Sequence, residues 1–322
     1  MRGMVDIFAT LGERLRSFGT TAEDCALMER AIEQNPWFTV EEIRHAVKAI
    51  SEDMLQRDKL EEWLSHYAPI SEPKDVAVIM AGNIPLVGFF DLLCVVASGH
   101  RLHLKPSSKD SILMRFVVDE LRKIDSDIQI FDYKSDNEYD MAIATGGDDA
   151  NRYFEEHFAT TRRLLRGSRH SVALLDGTES EAELLALSED VTLYSGLGCR
   201  SVSMLLVPKG SNTRLPHTST KNAKLNNNIR SMRAMLTMQQ RPFVDCGGYL
   251  GIYGTSFPTT LAAVTLHEYT TIDDARLWIE EHRNDIQCVV SHAEGYIPFG
   301  NAQRPTLWDY ADGVDTMAFL RE

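Results

Sequence analysis

The spacing of hydrophobic positions changes character near residue 73. Before it, Ile7, Leu11, Leu15 and Phe18 recur at steps of three or four, which lays one apolar stripe along a helix. Asn35-Pro36 marks a break. Thr39 followed by Glu42 fits a capping box, after which Ile43, Val47 and Ile50 share a face. Residues 1 to about 67 are therefore expected to form a packed helical cap without chemistry of its own.

From Pro73 the pattern alternates. DVAVIMAG (75–82) is a nearly continuous apolar run, as expected for a strand buried on both faces. PLVGFFDLLCVVAS (85–98) predicts a helix, with Pro85 in its first turn and Gly99 as its stop. RLHLKP (101–106) reads as the next strand, and strand, helix, strand within about thirty residues makes a βαβ unit. A helix at 110–124, strands at 128–133 and 140–145, and a Gly146-Gly147 turn into another helix extend the series. The second half predicts strands at 171–177, 201–208, 262–269 and 286–290, helices near 179–189 and 272–284, and a polar loop at 209–222. Ile229, Met232, Met235 and Met238 stand at three-residue steps and read as a core stripe, with a ligand pocket as the alternative. The expected fold class is α/β: a doubly wound parallel-sheet cofactor domain and an α/β catalytic domain. The expected organisation is a helical N-terminal cap (1–70), a dinucleotide-binding domain (71–168), a catalytic domain (169–305) and a C-terminal tail (306–322).

Composition narrows the partners. The 322 residues carry a net charge of −14, which argues against nucleic acid and anionic membranes. A local basic pocket for a small anion stays compatible with it. Cys25, Cys94, Cys199, Cys246 and Cys288 are scattered, with no CxxC, so reduced thiols, a cytoplasmic setting and no metal are expected. His100 and His103 lie across a strand and make poor metal partners. The N-terminus lacks the apolar core of a signal peptide. The longest apolar run, 84–99, is interrupted by Asp91 and is too short to span a bilayer.

Some residues suggest chemistry. SGLGCRSVSMLLVP (195–208) sets Cys199 behind Gly196 and Gly198 at the head of a strand. Most cysteines are small core residues, and Cys199 admits that reading. The glycines also leave room for a carbonyl that a thiolate would attack, and Arg200 would favour the thiolate. Asn83 follows the first strand, at the carboxyl end where such sheets bind ligands. It reads as a turn residue or, with the Cys199 amide, as a donor to the resulting oxyanion. Lys105 ends the second strand, either as an ordinary surface lysine or as a partner for a ribose or phosphate oxygen. Gly146 and Gly147 lack a full GxGxxG, yet would let helix-start amides approach a pyrophosphate. Asp148 and Asp149 also suit the helix dipole.

The ordered set AGNIPLVG, GHRLHLKPSS, TGG, SGLGCRS and PFG, spread over residues 70–322, resembles the aldehyde dehydrogenase superfamily. Within it, the set is most similar to the fatty acyl-CoA reductases that supply aldehyde to bacterial luciferase. The resemblance implies Cys199 as nucleophile, Asn83 as oxyanion donor and Lys105 on the adenosine ribose. It also implies Gly146 and Gly147 against the pyrophosphate and Phe299 beside the nicotinamide. Two departures matter. Hydrolytic members carry a water-activating glutamate a little over thirty residues before the cysteine, where this chain has Leu165, Arg166 and Gly167. Exchange with coenzyme A should then prevail over hydrolysis. NAD-preferring members often place a glutamate just after Lys-Pro, where this chain has Ser107 and Ser108, so NADPH is expected and NADH is the alternative. No match is found to the glutamate that orients the nicotinamide ribose. His170, in the segment that lost the glutamate, reads as a proton donor or as a simple surface histidine.

The implied function is reduction of acyl-CoA to aldehyde through a Cys199 thioester, with coenzyme A leaving. A cysteine-dependent acyltransferase or thioesterase, or a non-catalytic acyl-binding protein, is the alternative. Acyl-CoA or an acylated protein as donor, an acyl-protein synthetase as partner, and a homo-oligomer are all compatible with the resemblance.

Overall fold

The computed structural model describes residues 3–211 and 215–322. The chain divides into two compact units, Met1–Ser168 with Arg304–Glu322, and Arg169–Gln303.

The first unit begins with helices α1 (Met4–Arg16), α2 (Ala22–Gln34), α3 (Val40–Ala49) and α4 (Arg57–Ser65), with a π-helical turn at Ile50–Met54. The predicted stripe of Ile7, Leu11, Leu15 and Phe18 is buried. The predicted capping box closes: the Glu42 amide donates to Thr39 Oγ1 at 3.2 Å and the Thr39 amide to Glu42 Oε2 at 2.9 Å. These bonds satisfy amides that a helix start leaves without partners.

A five-stranded parallel sheet follows, made of β1 (Asp75–Ile79), β2 (Arg101–Lys105), β3 (Ile130–Asp132), β4 (Met141–Thr145) and β5 (Arg162–Arg166). Its order is β3-β2-β1-β4-β5. Helices α5 (Phe89–Ser98), α6 (Ser111–Ile124) and α7 (Asp148–His157) connect the strands. Strand order reverses between β1 and β4, which opens a crevice beyond their carboxyl ends, as in a doubly wound sheet. Val76, Ala77 and Val78 are fully buried, so β1 can be apolar without alternation.

Local details differ from expectation. Helix α5 starts at Phe89 rather than at Pro85, because Leu86 is left-handed (φ 56°) and residues 83–88 form a loop. Its end agrees, since Gly99 takes the left-handed cap (φ 89°). The charged strand β5 was not expected; it lies at a sheet edge, where charge is tolerated. The C-terminal stretch, expected as a tail, adds Leu307, Met317 and Leu320 to this unit's core.

The second unit is a six-stranded sheet of β6 (His170–Leu174), β7 (Val202–Pro208), β8 (Val244–Asp245), β9 (Leu250–Tyr253), β10 (Ala263–Tyr269) and β11 (Ile286–Val290). The order is β11-β6-β7-β10-β9-β8, antiparallel only between β8 and β9. Helices α8 (Glu181–Thr192), α9 (Ala223–Met238) and α10 (Ile272–Glu281) complete it. Side chains of β6 alternate between two cores. Ala173 packs with Leu184, Leu187 and Val191 of α8, whereas Val172 and Leu174 pack with Ala275 of α10.

The methionine stripe is not a core stripe. Leu225, Ile229 and Leu236 are buried, but Met235 is 42% and Met238 85% exposed. At about 100° per residue, a three-residue step slips by about 60°. Three steps from Ile229 carry Met238 to the opposite face. Of the expected polar loop 209–222, residues 212–214 lie outside the described residues, as do Met1 and Arg2.

Candidate active site

Cys199 follows a strained turn. After α8 ends, Tyr194, Ser195 and Gly196 have φ of 55°, 57° and 73° in succession. Left-handed backbone destabilises an L-residue by roughly 1–2 kcal/mol, and such strain persists only where the surroundings over-determine it. Tyr194 and Ser195 are both buried. Of the five non-glycine residues with positive φ among those described, three (Leu86, Tyr194 and Ser195) lie within five positions of Asn83 or Cys199.

The segment that follows this turn is anchored by polar contacts. Ser171 Oγ donates to the Cys199 carbonyl at 2.9 Å. Arg200 Nε donates to the Ala302 carbonyl, so the neighbouring guanidinium also anchors backbone. Asp190, 1% exposed, accepts from the amides of Gly300 at 2.7 Å and Ala302 at 2.9 Å. Burial pushes its carboxyl up to about 6, against the pull of those two amides. Gln303 Nε2 donates to Ser201 Oγ at 3.0 Å. Thus, within this unit, the Cys199 segment and the Phe299–Ala302 segment are tied together. Phe299 is 8% exposed in the same core as α8. Gly300 sits so close to α8 that a Cβ would come within 3.1 Å of Ala186 Cβ.

His170 turns to the other core. Its ring stacks on Phe257 at 4.3 Å and 5°, and Nδ1 lies 3.0 Å from Ser203 Oγ. Burial holds its pKa below the ordinary histidine value, so the ring is neutral at pH 7.

The first unit gathers the residues expected to meet a cofactor at one edge of its sheet. Asn83, Lys105, Ser107, Ser108, Gly146 and Gly147 all lie at or just beyond the carboxyl ends of β1, β2 and β4. Asn83 is half-buried in the loop whose Gly82 carbonyl accepts from Asn35 Nδ2 at 3.2 Å. A Cβ on Gly82 would come within 2.5 Å of Ser107 Cβ, so glycine lets the two loops meet. Lys105 is exposed, with Nζ 5.6 Å above the Tyr133 ring. Ser107 is half-buried and Ser108 exposed. Gly146 packs against Ala150 Cβ of α7, whereas a Cβ on Gly147 would meet nothing within 4 Å. The open space therefore lies at Gly147, the residue that precedes α7. Asp149 pairs with Arg152; the Asp148 side chain lies outside the described set.

Two features escaped the sequence reading. Residues 191–244 contain no Asp or Glu but include Arg200, Lys209, Lys221, Lys224, Arg230 and Arg233. The segment around Cys199 is cationic within an acidic chain, and a windowed charge count would have found it. Separately, Asp176, Glu179 and His292 bring ligand-type atoms within 4.8 Å of one another. They satisfy themselves without an ion: His292 Nε2 lies 3.0 Å from Asp176 and Nδ1 3.2 Å from Glu183. Glu179 accepts from the Asp176 and Gly177 amides.

The model of the acyl-CoA reductase (LuxC) family matches residues 36–235. The chain belongs to the acyl-CoA reductase (LuxC) family. It is 25% identical over 173 residues to long-chain acyl-protein thioester reductase 2 of Photobacterium leiognathi, a match over 47% of this chain and 36% of that protein. The chain thus spans about a third of the length of the curated relatives it matches. A propionaldehyde dehydrogenase from a Clostridium phytofermentans microcompartment superposes with a TM-score of 0.59 at 10% identity, over 96% of this chain and 89% of that one. An engineered glycolyl-CoA reductase with bound NADP+ gives 0.58 at 11% identity, over 90% and 78%. At such identities the likeness speaks for the fold, which in this LuxC-family chain is aldehyde dehydrogenase-like. Among the described residues no helix is long and apolar enough to cross a membrane.

Proposed function

We propose that this LuxC-family chain reduces an acyl thioester to an aldehyde. The observation that carries the reading is Cys199, whose carbonyl accepts from the buried Ser171 and which stands three positions after a run of three left-handed residues. In the proposed reaction the Cys199 thiolate attacks the thioester carbonyl, and the donor thiolate leaves with the electrons of the broken C–S bond. Asn83 and the Cys199 amide are proposed to hold the tetrahedral oxyanion, a contact worth about 2.7–4 kcal/mol per donor. A reduced nicotinamide, when bound, supplies the hydride that converts the acyl-enzyme carbonyl to a hemithioacetal. Collapse of that hemithioacetal releases aldehyde and returns the thiolate.

The residues present fit such a cofactor. The space before α7 at Gly147 suits a pyrophosphate on helix amides. Lys105 is proposed to meet the adenosine ribose, and Phe299 to line the nicotinamide side. Ser107 and Ser108 leave no carboxylate to repel a 2′-phosphate, which supports NADPH over NADH. The cationic run 191–244 suits an anionic donor such as acyl-CoA. An acylated protein is the other donor consistent with the relatives' names, and would bring a synthetase as partner. Five cysteines that form no disulfide among the described residues suit a reducing compartment, the cytoplasm. His170 is given a packing role here, because its ring is neutral, stacked and turned to the other core.

The test uses labelled acyl-CoA without reductant. The wild-type chain should form a covalent acyl-enzyme at Cys199, released on adding NADPH with loss of 340 nm absorbance. Label on Cys199→Ala, or acyl release without NADPH consumption, would defeat the reading in favour of another nucleophile or a thioesterase.

A further inference from the structure

Ser171 is fully buried at the second position of β6, and the strand pairing shifts beside it on both sides. Against β11 the register passes from His170–Ile286 to Ser171–Cys288, skipping Gln287. Against β7 it passes from Ser171–Val202 to Val172–Met204, skipping Ser203. Bulges of this kind re-aim side chains and gather beside active sites. Here they frame a hydroxyl whose two contacts are informative. Ser171 Oγ lies 2.9 Å from the Cys199 carbonyl and 3.1 Å from Cys288 Sγ. A carbonyl only accepts, and a hydroxyl has one proton. The serine proton therefore goes to Cys199, and the buried Cys288 must supply its S–H to the serine oxygen.

We propose that Ser171 is a positioning residue for the Cys199 nucleophile, its hydroxyl fixing the Cys199 carbonyl while Cys288, as a thiol, orients that hydroxyl. The inference rests on Cys199 being the nucleophile. Its physical basis is geometric: a misplacement of about 1 Å at a reacting atom can lower the rate by about a hundredfold. The peptide that carries the sulfur also carries the carbonyl that Ser171 holds. Ser171 need touch neither substrate nor cofactor to matter.

The experiment compares wild type, Ser171→Ala and Ser171→Cys for acyl-enzyme formation, kcat, KM and thermal midpoint. Cysteine nearly matches serine in size but donates weakly. The expected order of acylation rate and kcat is wild type, then Cys, then Ala. The alanine variant should be down by about 10- to 100-fold, with KM within about twofold and folding intact. Alkylation of Cys199 by iodoacetamide, followed by peptide mass, should slow in the same order, a readout independent of reductase turnover. An alanine variant that acylates and alkylates at the wild-type rate overturns the proposal. So does a loss that tracks KM and thermal midpoint together, or failure of both variants to fold, since Ser171 would then be a packing residue. Failure of the functional reading looks different: label would appear on Cys199→Ala.

Discussion

Arg166 and Asp91 form an ion pair in which both side chains are only 6% exposed, and Arg166 Nη2 also donates to Thr316 Oγ1 at 2.7 Å. Arg166 ends β5 and stands 33 residues before Cys199, in the stretch that the resemblance to aldehyde dehydrogenases compares with the water-activating glutamate of hydrolytic members. In this chain a cation occupies the place, and its partners are α5 and the C-terminal helical turn. Removing one member of a buried pair leaves an uncompensated charge, at about 3–5 kcal/mol. Asp91→Ala should lose that much in urea unfolding. Asp91→Leu combined with Arg166→Met should recover most of it, because apolar side chains of similar volume need no partner. Equal losses in the single and double variants would show that the pair's charges are not what holds α5 to β5.

Asp110 offers a pH test. It is 2% exposed, its Oδ2 accepts from the Leu86 amide at 2.7 Å, and its Oδ1 has no hydrogen-bond partner among the described residues. Burial pushes its carboxyl up to about 8, only partly opposed by the Leu86 bond. An unfolded aspartate titrates near 3.9. Between about pH 4 and 8 the folded chain therefore holds a proton that the unfolded chain has released. The contribution is complete below about pH 4 and falls by about 1.4 kcal/mol per pH unit until it is gone above about pH 8. Asp110→Asn stays neutral and keeps an oxygen for Leu86. Its stability relative to wild type should rise by about 3–4 kcal/mol between pH 5 and pH 8, measured by urea unfolding. A flat difference would mean that Asp110 ionises as an ordinary carboxyl.

The left-handed turn before Cys199 predicts an inversion of the usual glycine effect. A glycine replacement normally destabilises by about 0.5–1 kcal/mol through the unfolded chain. Ser195 has φ 57° and ψ 23° and is 2% exposed, a conformation that strains serine and not glycine. Ser195→Gly should be neutral or stabilising by up to about 1 kcal/mol while kcat falls, because the turn that presents Cys199 is loosened. A variant that loses stability and keeps full kcat would remove strain from the account of the site.

How much of this was readable beforehand depends on the range of each interaction. The Thr39–Glu42 box, the strand at Asp75–Ile79 and the Gly99 stop were legible, because each is set within a few residues. The start of α5 was not, because the conformation of Leu86 is held by Asp110, 24 positions away. Met235 and Met238 were misassigned to the core because three-residue spacing slips against the helical period. The motifs around Asn83 and Cys199 were visible as a resemblance, and the family match supports that resemblance. Ser171 was invisible, since its partners Cys199 and Cys288 are 28 and 117 positions away.

Cofactor preference can be tested at one position. Of the two serines after Lys105-Pro106, Ser107 is half-buried and lies against Gly82, so a larger side chain there would push into the Asn83 loop. Ser108 is exposed and can be enlarged without disturbing that contact. Ser108→Glu would place a carboxylate in the stretch where, by the resemblance, NAD-preferring aldehyde dehydrogenases often carry one. Two negative groups at about 4 Å repel by about 4 kcal/mol at an effective dielectric constant of 20, and by about 1 kcal/mol in water. An exposed site lies toward the lower figure, so kcat/KM with NADPH should fall by about 5- to 50-fold. With NADH it should hold or rise, because a carboxylate can accept from ribose hydroxyls. Initial rates at several concentrations of each cofactor measure the ratio. An unchanged NADPH-to-NADH ratio in a folded Ser108→Glu chain would mean that the 2′-position is recognised elsewhere, and the proposed place of the adenosine ribose beside Lys105 would have to be given up.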